Sequence, residues 1–110
     1  MATSTQQNRD ATNVLLDCVR LCLQCANECI DQQSSMKNCI KLCQLCADTC
    51  MLCLKCMASG LDQTQGICST CAEICDACAN ECEKGPSATM RDCADACRKC
   101  ANACRQMAAA

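Results

Sequence analysis

The sequence has no histidine, phenylalanine, tryptophan or tyrosine, and it carries one proline and three glycines. Without histidine there is no imidazole base or ligand, which excludes most hydrolytic and zinc-enzyme chemistries. Without aromatic rings nothing can stack a nucleobase. With 10 basic against 12 acidic residues no excess of positive charge attracts a phosphate backbone, so nucleic acid is not an expected partner. No stretch approaches the roughly 18 to 20 apolar residues of a membrane span, so no membrane association is expected. The first ten residues, MATSTQQNRD, are polar and lack the apolar segment of a secretory signal, which predicts a cytoplasmic protein with reduced thiols. Branched aliphatic residues are scarce too: Val, Ile and Leu total 15.

What the chain does contain is cysteine, 19 in 110 residues, and alanine, 16. The length suits a single domain spanning 1–110. A chain this poor in Val, Ile and Leu folds only if its cysteines are its core.

The cysteines fall into four blocks: Cys18, Cys22, Cys25 and Cys29; Cys39, Cys43, Cys46, Cys50, Cys53 and Cys56; Cys68, Cys71, Cys75, Cys78 and Cys82; and Cys93, Cys97, Cys100 and Cys104. Steps of three and four within each block trace one face of an α-helix. Breakers separate the blocks. DQQSS (31–35) offers Ser34 or Ser35 as an N-cap, and Gly60 ends the second helix. Asp62 with Gln65 makes a capping-box pattern, and Gly85-Pro86-Ser87 stops the third helix and caps the fourth. Helices are expected at about 10–31, 35–59, 63–84 and 88–107, after a polar N-terminal segment 1–9. Short connections make neighbours antiparallel, so the expected fold class is all-α, an up-down-up-down four-helix bundle with a Cys-lined core. The second helix is apolar nearly all round. Leu42, Leu45 and Leu52 flank its thiol stripe on one side, and Ile40, Met51 and Leu54 on the other, which predicts a self-association surface there.

Three roles compete for the stripe. Cysteine can serve as a small apolar filler, but leucine would pack better and would not oxidise. A disulfide-cross-linked structural or interaction bundle is the second. It meets an odd cysteine count, and residues at i, i+3 or i+4 have Cβ atoms about 5 to 6 Å apart where a disulfide needs about 3.8 Å. The third is soft-metal binding, by eight CxxxC pairs that could each clasp an ion between successive turns. Soft thiolates select Cu(I), Zn or iron–sulfur clusters. Isolated four-thiolate zinc sites each carry excess negative charge, which is costly in a low-dielectric tube. Multiple Cu(I) ions, roughly one per Cys, would instead leave the core neutral. A Zn/Cd metallothionein-like sink remains the alternative. Seven CxxC pairs invite a redox-enzyme reading, but they lie mid-helix with no strand beside them, so no enzyme is expected. Met36 and Met90, each three residues before the first Cys of its helix, extend the stripes outward at one bundle end. Met57 and Met107 do so at the other. Thioethers there could bind Cu(I) weakly as a port or plug the ends as adaptable filler.

The segments CIKLC (39–43) with CADTC (46–50), CAEIC (71–75) with Cys78, and CADACRKCANACRQM (93–107) resemble the bacterial copper storage proteins, over about residues 12–108. The resemblance implies a cytosolic or exported store that holds many Cu(I) ions inside the bundle and assembles as a homotetramer, and without an apolar leader the chain is similar to the cytosolic branch. A copper chaperone or a small thiol is a candidate donor. Members of that family commonly place a histidine three residues before the first Cys of the last helix; here that position is Met90.

Overall fold

The computed structural model describes residues 2–109, and they form four helices: α1 (Ala2–Asp31), α2 (Lys37–Ser59), α3 (Thr64–Cys82) and α4 (Ala88–Ala109). Among the described residues there is no strand. Packing pairs α1 with α2, α2 with α3, α3 with α4, and α1 with α4, which closes a square antiparallel bundle 47 Å long and 21 by 18 Å across.

The connections follow the breakers. Gly60 takes the left-handed conformation at φ 64°, and its N–H bonds the Cys56 carbonyl, ending α2. Ser87 Oγ accepts the Met90 N–H at 3.1 Å and caps α4. Gln33 adopts φ 54° after α1, and the Ser34 N–H reaches back to the Cys29 carbonyl at 2.8 Å.

Three details differ from the sequence reading. α1 does not begin near residue 10. Apart from Met1, which lies outside the described residues, the polar 1–9 segment is helical. No glycine or proline interrupts it, Gln6 donates to Asp10 at 3.0 Å one turn on, and Thr12 donates to the Asn8 carbonyl at 2.7 Å. Met36 occupies the N-cap position of α2, while Ser34 Oγ accepts the Met36 N–H at 3.1 Å, so the serine acts from outside the helix. The N-cap of α3 falls one residue later than Asp62. Gln63 sits at its N-cap, and Thr64 Oγ1 donates to the Leu61 and Cys56 carbonyls at 2.6 and 3.1 Å, tying the hairpin to α2.

Alanine makes the bundle narrow. Ala26, Ala47, Ala72, Ala79, Ala94 and Ala101 are buried at the helix seams, where a small side chain lets backbones approach. The α3–α4 exterior is ionic: Arg98 pairs with Asp76 and Glu83 at 3.1 Å each, and Arg105 pairs with Asp76 at 2.7 Å. α1 and α2 are different. Leu16, Leu23 and Ile30 recur every seven residues on α1, and Leu45 and Leu52 do so on α2. These five and Met51 all stay 40 to 48 % exposed. Ile40, Leu42 and Leu54 turn inward against the core, so only part of the apolar surround expected of α2 faces out.

Candidate metal centre

Helical steps of three and four hold each thiol stripe within a narrow arc, and four arcs meet on the bundle axis. All nineteen cysteines are free and buried. Only Cys29, at 4 %, and Cys56, at 7 %, keep any exposure, and they lie towards opposite ends.

The sulfurs touch chiefly across helices. Within one helix, Cys18 and Cys22 are 3.9 Å apart and Cys71 and Cys75 4.0 Å, as two of the CxxxC pairs anticipate. Between helices the contacts are as short or shorter: Cys46–Cys75 at 3.5 Å, Cys39–Cys82 at 3.6 Å, Cys43–Cys78 at 3.6 Å, Cys50–Cys100 at 3.6 Å, Cys22–Cys93 at 3.7 Å and Cys53–Cys68 at 3.0 Å. Clasping by a single helix is therefore not the dominant geometry, because the alanine seams bring facing stripes as close as successive turns.

From the end that carries Met36 and Met90, the thiols form a run of tetrads: Cys25/Cys39/Cys43/Cys82, then Cys43/Cys78/Cys82/Cys93, then Cys22/Cys78/Cys93/Cys97, then Cys18/Cys22/Cys46/Cys97, then Cys18/Cys46/Cys50/Cys75. In each the four sulfurs lie within 4.8 Å of one another. Every tetrad shares two sulfurs with the next, so no boundary divides one site from another. Cys50 continues the chain to Cys71 at 3.7 Å and to Cys100, and Cys53 with Cys68 lies near the α2–α3 hairpin.

These spacings suit a soft ion with little rearrangement. A metal–thiolate bond of about 2.3 Å puts sulfurs about 4.0 Å apart in a trigonal site and about 4.6 Å apart in a linear one. Apart from Cys53–Cys68 at 3.0 Å, the separations given above, 3.5 to 4.0 Å, lie within about half an ångström of the trigonal value.

Electrostatics sets the protonation of the thiols. Burial raises the thiols of Cys29 and Cys68 above their ordinary value. Hydrogen bonds from neighbouring sulfurs, then burial, push up Cys22, Cys50, Cys75, Cys82 and Cys100. Among the described residues no polar or charged side chain is buried, so no lysine or arginine reaches the core. Hydrogen bonds from neighbouring sulfurs push Cys18, Cys39, Cys71, Cys78 and Cys93 down, and Cys46 to about 7, so protons are shared unevenly along the array.

The methionines divide. Met90 is buried at 3 %, while Met36, Met57 and Met107 are half-buried against the core. At the hairpin end the Cys53 thiol donates to the Met57 sulfur at 4.0 Å. Two features escaped the sequence reading. One is the seven-residue apolar spacing on α1, which was visible as Leu16, Leu23 and Ile30. The other is the approach of the Met90 and Met36 sulfurs to Gly85, which no local pattern signals.

Residues 4–109 match the family model described as copper storage protein. No curated protein matches the sequence. Among solved structures, the Cu(I)-bound copper storage protein BsCsp3 is 35 % identical, covering 93 % of this chain and 98 % of that one with a TM-score of 0.87. The apo-Csp3 of Bacillus subtilis is 37 % identical over 91 % of this chain and 97 % of that one, also at 0.87. The protein Nmul_A1745 from Nitrosospira multiformis is 36 % identical over 96 % and 97 %, again at 0.87. With a thiol-lined bundle, a family match across nearly the whole sequence and such likeness in fold and sequence, the chain belongs to the copper storage protein family.

Proposed function

We propose that the protein is a high-capacity store and buffer for Cu(I), holding roughly one ion per cysteine along the bundle axis. One observation carries this reading: the edge-sharing run of buried sulfur tetrads. Each incoming Cu(I) displaces a proton from a thiol, so the filled core stays neutral and burial of the ions costs little. An ion held in one tetrad already touches two sulfurs of the next. It can advance by exchanging the other two, without leaving sulfur for water.

All nineteen cysteines serve as ligands, with Met36 and Met90 as thioether ligands at the mouth that admits copper. The donor is a copper chaperone or a small thiol. The work is storage and not catalysis. Free thiols on this scale suit the reducing cytoplasm. The exposed Leu16, Leu23, Ile30, Leu45 and Leu52 support assembly into a homotetramer through α1 and α2. Among the described residues no helix is long and apolar enough to cross a membrane.

Anaerobic titration with Cu(I) against a competing chelator tests the reading. Saturation near the number of cysteines is expected, with affinity weakening as pH falls because protons compete for the thiolates. Saturation at about half that number or less would overturn the one-to-one store. It would favour tetrahedral filling of the shared tetrads by a zinc- or cadmium-like ion.

A further inference from the structure

Gly85 does not need to be glycine for its backbone. Gly60 is the only glycine among the described residues with a positive φ, so the Gly85 main chain lies where any residue can sit. Its surroundings are what a side chain would disturb. A Cβ at Gly85 would overlap the sulfur and the terminal methyl of Met90 and would stand 3.3 Å from the sulfur of Met36. Two thioethers from the starts of two different helices thus converge on the space left by one absent methyl group. A serine hydroxyl holds the backbone of each methionine, Ser34 Oγ accepting the Met36 N–H from outside α2 and Ser87 Oγ accepting the Met90 N–H as the cap of α4, both at 3.1 Å. Met90 is buried at 3 % although it begins its helix at the bundle end.

We infer that Gly85 is a positioning residue: its missing side chain seats the Met90 thioether beside that of Met36, forming a two-sulfur capture point for Cu(I) above the Cys25/Cys39/Cys43/Cys82 tetrad. This rests on the copper-store reading. Two neutral sulfurs hold a soft monovalent cation without giving up a proton, and bind it weakly enough to release it to the thiolates below. Gly85 controls how fast copper enters and leaves the capacity unaltered.

The test uses Gly85→Ala, Met90→Ala and the double variant, with Gly66→Ala as control because a Cβ there meets nothing within 4 Å. The overlapping atoms are the end of a flexible side chain, so Gly85→Ala folds with Met90 displaced. Two measurements are made: the rate of Cu(I) uptake from a chelated donor, and the rate at which dilute peroxide oxidises Met90 in the copper-free protein, mapped by peptide mass spectrometry. Gly85→Ala is expected to slow uptake about tenfold, the scale seen when a group that orients a metal ligand is disturbed. Saturation should be unchanged and Met90 oxidation faster. The same substitution should add nothing in the Met90→Ala background. The seat is refuted if Gly85→Ala keeps the wild-type uptake rate and Met90 protection, or if it slows uptake equally without Met90. A collapse of saturation in the unmodified protein would instead refute the store, while the peroxide result would still judge the seat.

Discussion

Raising the pH should weaken the copper-free bundle, and copper should protect it. Ten thiols, those of Cys22, Cys25, Cys29, Cys50, Cys53, Cys68, Cys75, Cys82, Cys97 and Cys100, are held above their ordinary value by neighbouring sulfurs and by burial. In the unfolded chain each is an ordinary thiol with a pKa of about 8.5. Between the two values the unfolded state has lost protons that the folded state keeps, so stability is full below about pH 8.5 and falls as pH rises. Per thiol the loss is about 0.4 kcal/mol at pH 8.5 and about 1.4 kcal/mol at pH 9.5. Six neighbouring thiols, Cys18, Cys39, Cys46, Cys71, Cys78 and Cys93, are pushed down, so the losses do not sum over all ten. About two to three uncompensated thiols still cost about 3 to 4 kcal/mol at pH 9.5, against a typical domain stability of about 5 to 15 kcal/mol. Anaerobic urea melts followed by circular dichroism, with a non-thiol reductant, should show the midpoint falling between pH 8 and 10. The Cu(I)-loaded protein has no thiol protons to lose and should melt at a nearly constant midpoint. A copper-free midpoint that stays level over this range while thiolate absorbance grows would mean the thiols ionise inside the fold, and the picture of a dry array that holds these protons would be wrong.

Cys46→Ala removes a sulfur shared by two tetrads; it should cost about 1 to 2 kcal/mol of stability and lower the Cu(I) saturation by one or two ions, read in the same titration. Leu23→Glu combined with Leu52→Glu places charges in the exposed apolar stripes and should shift the protein to smaller species in sedimentation, with capacity per chain unchanged. The Arg105 and Arg98 guanidiniums hold the Asp76 carboxyl below its ordinary value. That stabilisation is present above the unfolded value of about 3.9 and is lost as pH falls through the lower folded one. Asp76→Asn should therefore cost under about 1 kcal/mol at neutral pH, since these groups are partly solvated, and should flatten the acid limb of the stability curve.

Much of the site was legible in the sequence because a helix converts spacing into direction. Steps of three and four from Cys39 to Cys56 suffice to put those sulfurs on one face, and Gly60 and Ser87 mark ends that depend on backbone and capping chemistry alone. The beginning of α1 was not legible. MATSTQQNRD has neither a stop signal nor an apolar stripe, so its helicity depends on continuation from the turns that follow.

Period and composition alone are enough to dictate the four-helix bundle and its inward-facing sulfur. Helix packing is what brings sulfurs on different helices as close as those on successive turns and makes the tetrads share edges. Those distances depend on how deeply alanine seams let backbones approach. The role of Gly85 belongs to the same class: an empty volume has no sequence signature until two methionines from different helices are seen to fill it.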